Sequence, residues 1–139
     1  MDKLTLASLP GPDSFVAELS FHSADRGSSG SFQQFHGEFQ MRNGFIRAKD
    51  SIWADEEDVL AWQAVLDSLD LGQAAGWRMG ERGLSLEFVP SDDTREVDYW
   101  VSAHSVTYPF VVPRFAVTLD DSWFDRAYRK LDRVLKEIG

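Results

Sequence analysis

The chain has 139 residues, 43% of them hydrophobic and 13% aromatic, which is enough apolar surface for one core and predicts a single folded domain over residues 1–139. It contains no cysteine, which excludes disulfide bonds, a thiol nucleophile, iron–sulfur clusters and cysteine-ligated zinc. The formal net charge of −9 argues against direct nucleic-acid binding, because a phosphate backbone is bound by a basic surface.

The first part of the chain predicts strands. Residues 14–21, SFVAELSF, place an apolar side chain at every second position, which is the period of a strand with one buried face. The Gly/Ser-rich stretch at 23–31, SADRGSSGS, predicts a loop. Residues 34–49, QFHGEFQMRNGFIRAK, alternate again, and Asn43 with Gly44 supplies the residues of a type I′ turn. This third segment therefore predicts a β-hairpin.

A helix and a second group of strands are predicted next. In residues 51–72, SIWADEEDVLAWQAVLDSLDLG, apolar residues recur at spacings of three and four, which predicts an amphipathic helix of about four turns that ends at Gly72. The apolar stripe of this helix consists of Val59, Trp62, Val65, Leu66 and Leu69. The segments GWRMG, LSLEFV and EVDYWVSAHSV, between residues 76 and 106, predict three strands, with the turn residues PSDDT between the last two.

The last part of the chain predicts an edge strand and a second helix. Pro109 and Pro113 cannot donate to a strand ladder, so we expect irregular structure there and an edge strand over residues 114–119. The final segment, DDSWFDRAYRKLDRVLKEIG, has helical apolar spacing and a cap at Asp121 or Ser122. The whole pattern predicts an α+β fold, in which two amphipathic helices pack on an antiparallel sheet of about six or seven strands.

The sequence carries no signal for export or for membrane insertion. Its first residues, MDKLTLASLPGPD, lack a basic region followed by a continuous apolar run, and nowhere are 18 apolar residues consecutive. We therefore expect a cytoplasmic protein that does not bind a membrane.

Negative charge is concentrated in residues 51–100, which hold twelve acidic and three basic residues. Four of these acids, from Asp55 to Asp58, are consecutive at the predicted start of the first helix. The helix dipole favours acids there by roughly 0.3–1 kcal/mol each, but four in succession repel one another. Two interpretations stay open: a helix start, and an acidic surface for a partner. A calcium loop pattern is absent, so we expect neither a metal nor another cofactor.

The predicted partner surface combines these acids with further acids and with exposed tryptophans. Tryptophan is enriched among the few residues that dominate interface energy, and the five tryptophans of this chain are difficult to bury together. The predicted partner-binding residues are Trp53, Asp55, Glu56, Glu57, Asp58, Asp67, Asp70, Asp92, Asp93 and Trp100. A surface of one charge sign attracts a partner of the opposite sign.

The histidines provide an alternative of another class. His22, His36 and His104 are far apart in sequence and no nucleophile-elbow pattern is present, so we expect no catalytic residue and no enzymatic activity. The alternative is a small hydrolase or ligand-binding protein in which His104 or His36 lies beside carboxylates in a deep pocket.

In two stretches a strand leads directly into a helix: GFIRAKDSIWADEEDVLAWQAVLDSL and FAVTLDDSWFDRAYRKLDRVL. This layout resembles small uncharacterised bacterial proteins of actinobacterial type, some of which are similar to the immunity proteins encoded beside polymorphic toxins. The resemblance implies a non-enzymatic protein that neutralises a toxin by covering its active surface. An acidic patch suits a basic nuclease in that role.

The sequence therefore predicts an acidic protein-binding domain whose partner is a basic protein, such as a toxin, a nuclease or a nucleic-acid-binding complex. The alternative within the binding class is a nucleic-acid mimic from a phage or mobile element, which inhibits a host defence complex by presenting carboxylates in place of phosphates. The basic residues of the last helix, among them Arg126 and Arg133, also provide a route to a homodimer through the acidic region.

Overall fold

The computed structural model describes residues 3–26, 33–45, 47–79, 83–92, 98–105 and 112–138. The elements in chain order are β1 (Leu4–Pro10), β2 (Val16–Arg26), β3 (Gln33–Arg42), β4 (Arg47–Asp55), α1 (Glu56–Asp70), β5 (Ala75–Trp77), β6 (Ser85–Pro90), β7 (Tyr99–His104), β8 (Arg114–Val117) and α2 (Asp121–Ile138). The strands pair antiparallel in two sheets, the first sheet with the order β1-β2-β3-β4 and the second sheet with the order β5-β6-β7-β8.

The predicted α+β fold with antiparallel strands and two helices is confirmed, but the single sheet of six or seven strands is wrong. The described residues form eight strands in two four-stranded sheets. A single sheet does not form because α1 separates β4 from β5, and β5 then pairs with β6 instead of extending the first sheet. The predicted number of strands was too low because β1 was not expected. A bulge between Thr5 and Ala7 buries both Leu6 and Ala7 and so breaks the alternation of a regular strand.

The remaining strand predictions are confirmed where the structure describes them. β2 covers residues 16–21 of the strand predicted for residues 14–21 and continues to Arg26, so the loop predicted for residues 23–31 is wrong over its first four residues. β5, β6 and β7 are the three strands predicted between residues 76 and 106, and β8 lies at an edge of the second sheet, as expected. The predicted turns and irregular segments fall wholly or partly outside the described residues, at 27–31, 80–82, 93–94 and 106–111.

The β3–β4 hairpin is confirmed, but its turn differs from the predicted type I′ turn. Arg42 pairs with Arg47, so the loop spans residues 43–46 and is longer than a two-residue turn. The side-chain oxygen of Asn43 accepts the backbone N–H of Phe45 at 2.8 Å, and neither Asn43 nor the residue after it has a positive φ. Asn43 therefore acts through its side chain, as Asn does in an Asx-turn, and not through a left-handed backbone.

Both helices are confirmed. The buried residues of α1 are the predicted ones: Val59, Trp62, Val65, Leu66 and Leu69. Gly72 has a φ of 75° just beyond this helix, a conformation that glycine adopts without strain. The cap of α2 is Asp120, whose carboxylate accepts the N–H of Trp123 at 2.7 Å. The prediction of Asp121 or Ser122 as the cap is therefore wrong, because the helix begins directly after Asp120.

The buried apolar side chains of both sheets and both helices form a single cluster. α1 packs on β4, β5 and α2, and α2 also packs on β1. The ring of Trp62 on α1 lies 6.0 Å from the rings of Trp77 and Phe88 in the second sheet. The hydroxyl of Tyr99 on β7 donates to the carbonyl of Leu69 at 3.0 Å. The helices therefore connect the two sheets, and α1 is fixed at both of its ends.

Candidate functional site

Of the four consecutive acids, two have carboxylates that stabilise the start of α1 and two are exposed to solvent. Asp55 caps α1, and its carboxylate accepts the N–H of Asp58 at 2.9 Å. In return, the carboxylate of Asp58 accepts the N–H of Asp55 at 3.0 Å, which completes a capping box. Glu56 and Glu57 lie between them and are exposed. The run is therefore both a helix start and a source of surface charge.

The junction between β4 and α1 is held from the end of β5. The guanidinium of Arg78 donates to the carbonyl of Trp53 at 2.8 Å and lies 3.9 Å from the carboxylate of Asp58. The indole N–H of Trp77 donates to the carbonyl of Asp58 at 2.8 Å. Burial raises the pKa of Asp58, against the lowering effects of the Asp55 N–H and of Arg78. Asp58 therefore serves the fold and is poorly placed to contact a partner.

Trp53 is exposed but held in place. Its side chain is 52% exposed, at the end of β4. The indole stacks on His36 of β3 with ring centroids 4.3 Å apart and an angle of 15° between the rings. His36 in turn contacts the edge of His22 on β2, at 4.9 Å. Three rings on adjacent strands therefore form a ladder that ends in an exposed tryptophan, and the tryptophan is positioned before any partner arrives.

The exposed side of α1 combines acidic and apolar residues. We define the outer face of α1 as Glu56, Leu60, Gln63, Asp67 and Leu71, which are all exposed and follow one another at spacings of three and four. Leu60 is 47% exposed and Leu71 is 74% exposed. The segment from Glu56 to Asp70 contains five acids and no base. This face therefore presents exposed apolar side chains among negatively charged ones.

Asp67 also connects the two helices. Its carboxylate accepts a hydrogen bond of 2.6 Å from the hydroxyl of Tyr128 on α2. Burial raises the pKa of Tyr128, and the hydrogen bond to Asp67 acts in the same direction. Asp70 lies near the end of α1 and is exposed. Of these two predicted residues, Asp70 is the less engaged in holding the fold.

The other predicted residues lie elsewhere. Asp92 is exposed just after β6, and Asp93 lies outside the described residues. Trp100 is half-buried on β7, with the guanidinium of Arg114 4.5 Å from the centre of its ring. Trp100 belongs to the second sheet and Asp92 follows its strand β6, whereas Trp53 and the four consecutive acids belong to the β4–α1 junction. Trp53 and the first acids of α1 are therefore adjacent in the chain, whereas Trp100 and Asp92 lie at other elements.

The three histidines lie at two separate places, His22 and His36 on the first sheet and His104 on the second. His22 and His36 belong to the aromatic ladder, and His104 pairs with Ser85 at the end of β7. The carboxylate of Asp98, a residue just before β7, accepts the N–H of Leu119 at 2.7 Å. Two clefts among the described residues are lined by other side chains and not by His36 or His104. Nor do these residues contain a group of three or more histidines and acids arranged to hold a metal ion.

Sequence reasoning missed three residues that shape this site. Leu60 and Leu71 fall off the buried stripe of α1, so a helical projection could have identified them as exposed. Arg78 gave no such signal, because its contact with Trp53 spans 25 positions of the chain. A single sequence contains nothing local that reports this contact.

A model of a family of unknown function, DUF5959, matches residues 5–139 of the chain. The chain belongs to DUF5959. The matched region contains the whole β4–α1 junction and both sheets, so the features above lie within the DUF5959 domain. Comparison of the chain with curated proteins and with solved structures gave no significant match. No helix in the described part of this DUF5959 chain is long and apolar enough to span a membrane.

Proposed function

We propose that this DUF5959 domain is a non-enzymatic binding protein that docks a basic protein partner on Trp53 and the outer face of α1. The observation that carries the proposal is an exposed tryptophan, fixed by stacking on His36, at the start of a helix whose exposed side is acidic and apolar. A few side chains at the centre of an interface supply most of its binding energy, and tryptophan is enriched among them.

The apolar part of the surface supports tight binding once contact is made. An interface anchor such as Trp53 contributes roughly 2–4 kcal/mol when the partner buries it. Leu60 and Leu71 add apolar area, at about 25 cal/mol per Å² removed from water. Trp53 is also held by its stack on His36, so little conformational entropy is lost when it is bound.

The acidic part of the surface determines which partner is attracted. Glu56, Glu57 and Asp70 are exposed on a helix that carries no basic residue. A concentration of negative charge accelerates the encounter with a positively charged partner and repels acidic competitors. A basic protein is therefore the occupant with the complementary charge.

Within the binding class, we favour an immunity-type inhibitor that covers a basic toxin or nuclease over a mimic of nucleic acid. A phosphate mimic needs acids at regular spacing and has no use for exposed apolar anchors. The outer face of α1 instead places Leu60 and Leu71 among its acids, as an interface with a protein surface requires.

The test is affinity capture from a lysate of the source organism, at low and at high salt, with three tagged baits. The first bait is the unaltered chain. The second carries Glu56→Gln, Glu57→Gln and Asp70→Asn, which remove three exposed charges and leave the capping box intact. The third is a matched control on α2, with Asp125→Asn, Asp132→Asn and Glu137→Gln, all at exposed positions.

We expect the unaltered chain and the α2 control to retain the same basic protein at low salt and to lose it at high salt. The α1 variant should lose the protein already at low salt, with an affinity lower by about tenfold or more. Equal retention by the α1 variant and the control would contradict docking on α1. Capture of an acidic protein, or of none, would contradict the proposed partner class. Thermal unfolding of all three baits checks that each is folded.

A further inference from the structure

A cleft of about 410 Å³ opens between the two sheets, away from the residues of the proposed docking surface. One wall consists of the β3–β4 hairpin, with Phe39, Met41 and Asp50. The other wall includes Ala103 of β7 together with Leu84 and Ser105, which directly flank β6 and β7 of the second sheet. At about 30 Å³ for each water molecule in the liquid, the space equals roughly fourteen waters, which is enough for a small organic molecule.

Strand register explains why the cleft contains a carboxylate. Asp50 pairs with Phe39 across the hairpin, and paired residues of an antiparallel ladder point to the same face of a sheet. Phe39 is buried, so Asp50 is on the inward face of the first sheet. Its neighbour on that face, Ala48, pairs with Met41 and is small, which leaves space beside the carboxylate.

Among the described residues, the carboxylate of Asp50 has unused capacity to accept hydrogen bonds. The hydroxyl of Ser105 donates to one of its oxygens at 2.5 Å. This is the single partner of the carboxylate among the described residues, although an ionised carboxylate can accept about four hydrogen bonds. A carboxylate on an apolar inward face costs stability unless it is satisfied. Its position therefore fits a role in binding better than a role in folding.

We propose that this cleft binds a small primary amine with an apolar or aromatic body of about ten non-hydrogen atoms. The body packs on Phe39, Met41 and Leu84, and the ammonium donates to Asp50 beside Ser105. Arg47 and Lys49 also border the cleft, and Lys49 is paired with Glu38 at 3.0 Å on the other face of the sheet. Among the described residues that line the cleft, Asp50 is the charged residue on the inward face, because the register places Arg47 and Lys49 on the other face of β4. An amine is therefore the complementary head group. This site is independent of the proposed protein-docking function.

Three probes of similar shape test the head group: 2-phenylethylamine, 2-phenylethanol and 3-phenylpropanoate. Each is titrated into the full isotope-labelled chain and followed by amide chemical shifts. We expect saturable binding of the amine, with the largest shifts at residues around the cleft and an affinity about tenfold higher than that of the alcohol. The carboxylate probe should bind more weakly than either of the other two.

Two variants and one control separate the role of Asp50 from non-specific binding. Asp50→Asn should remove the preference for the amine over the alcohol, while Ala48→Phe should fill the cleft and abolish binding of both. Glu87→Gln on β6 removes a carboxylate that does not line the cleft and should leave both affinities unchanged.

Four results would overturn the proposal. They are an absence of saturable binding by the amine, shifts centred outside the cleft, an unchanged preference in Asp50→Asn, and tighter binding of 3-phenylpropanoate than of the amine. The last result would assign the cleft to anions through Arg47 and Lys49. Thermal unfolding of each variant shows whether a loss of binding reflects a loss of fold.

Discussion

At the scale of single residues, two aspartates three positions apart, Asp55 and Asp58, have a different task from the two glutamates between them. Asp55 and Asp58 exchange hydrogen bonds with each other's backbone, whereas Glu56 and Glu57 extend into solvent. The helix dipole rewards all four in principle, but only the two aspartates have the short side chains and the positions of a capping box. The acidic character that these four residues share therefore does not show which of them stabilise the helix start and which are exposed.

The capping box predicts an asymmetry in stability along the acidic run. We expect Asp55→Ala to lower the free energy of unfolding by about 1 kcal/mol, because the N–H of Asp58 loses its acceptor at the start of α1. Glu57→Ala is the matched control and should change it by less than about 0.5 kcal/mol. Urea denaturation followed by tryptophan fluorescence measures both. Equal losses in the two variants would show that the dipole, and not the box, stabilises this end.

Lys130 on α2 predicts a dependence of stability on pH. Burial lowers the pKa of Lys130, with Arg126 acting in the same direction and Glu18 opposing it. The folded state therefore binds the ammonium proton of Lys130 more weakly than the unfolded chain does. The free energy of unfolding consequently increases as the pH rises through the folded pKa toward 10.5. We expect Lys130→Met to be more stable than the unaltered chain at neutral pH.

The difference in stability between Lys130→Met and the unaltered chain should narrow as the pH approaches 10.5. Urea denaturation at a series of pH values measures this difference, and the tyrosines common to both chains cancel in the comparison. A difference that stays constant or widens over this range would show that the ammonium is not penalised by its surroundings.

At the scale of elements, the close approach of β2 and β3 depends on Gly37. A Cβ atom at this position would lie 1.9 Å from the carbonyl oxygen of Ser20 and 2.8 Å from the Cα of Phe21. These are backbone atoms, so the strands would have to separate next to the bulge that follows Phe21. Gly37 is therefore needed for its lack of a side chain and not for its backbone freedom.

We expect Gly37→Ala to destabilise the fold by about 1–3 kcal/mol, the usual cost of forcing an extra group into a packed region. Gly44→Ala in the hairpin loop is the matched control, because nothing lies within 4 Å of a Cβ there. The control should change the stability by less than about 0.5 kcal/mol. Thermal unfolding compares the two, and similar melting temperatures would contradict the close approach of the strands.

Element prediction succeeded where the signal is local. The stripe of α1 and the alternation of β3 lie within short windows, and both elements formed as expected. The bulge in β1 removed that periodicity, and the division into two sheets depends on which strands pair, which no short window reports. The inward position of Asp50 could have been predicted from the sequence. A two-residue loop and a four-residue loop between β3 and β4 both place the same face of β4 toward the core.

At the scale of the whole molecule, the negative charge of the middle of the chain is divided over separate elements. Part of it lies on α1 beside Trp53, and part lies near the second sheet at Asp92. The sequence predicted one partner surface that includes both tryptophans, Trp53 and Trp100. We propose Trp53 as the anchor, because Trp100 is half-buried and its ring faces the guanidinium of Arg114.

The most direct test of docking on Trp53 and α1 is the dissociation constant of the captured basic protein, measured by calorimetry for Trp53→Ala and for Trp100→Ala. We expect Trp53→Ala to weaken binding by about 2 kcal/mol, which is roughly thirtyfold, because it removes the exposed anchor. Trp100→Ala should weaken binding by less than about threefold. Unchanged affinity in Trp53→Ala, or a larger loss in Trp100→Ala, would contradict the proposed surface.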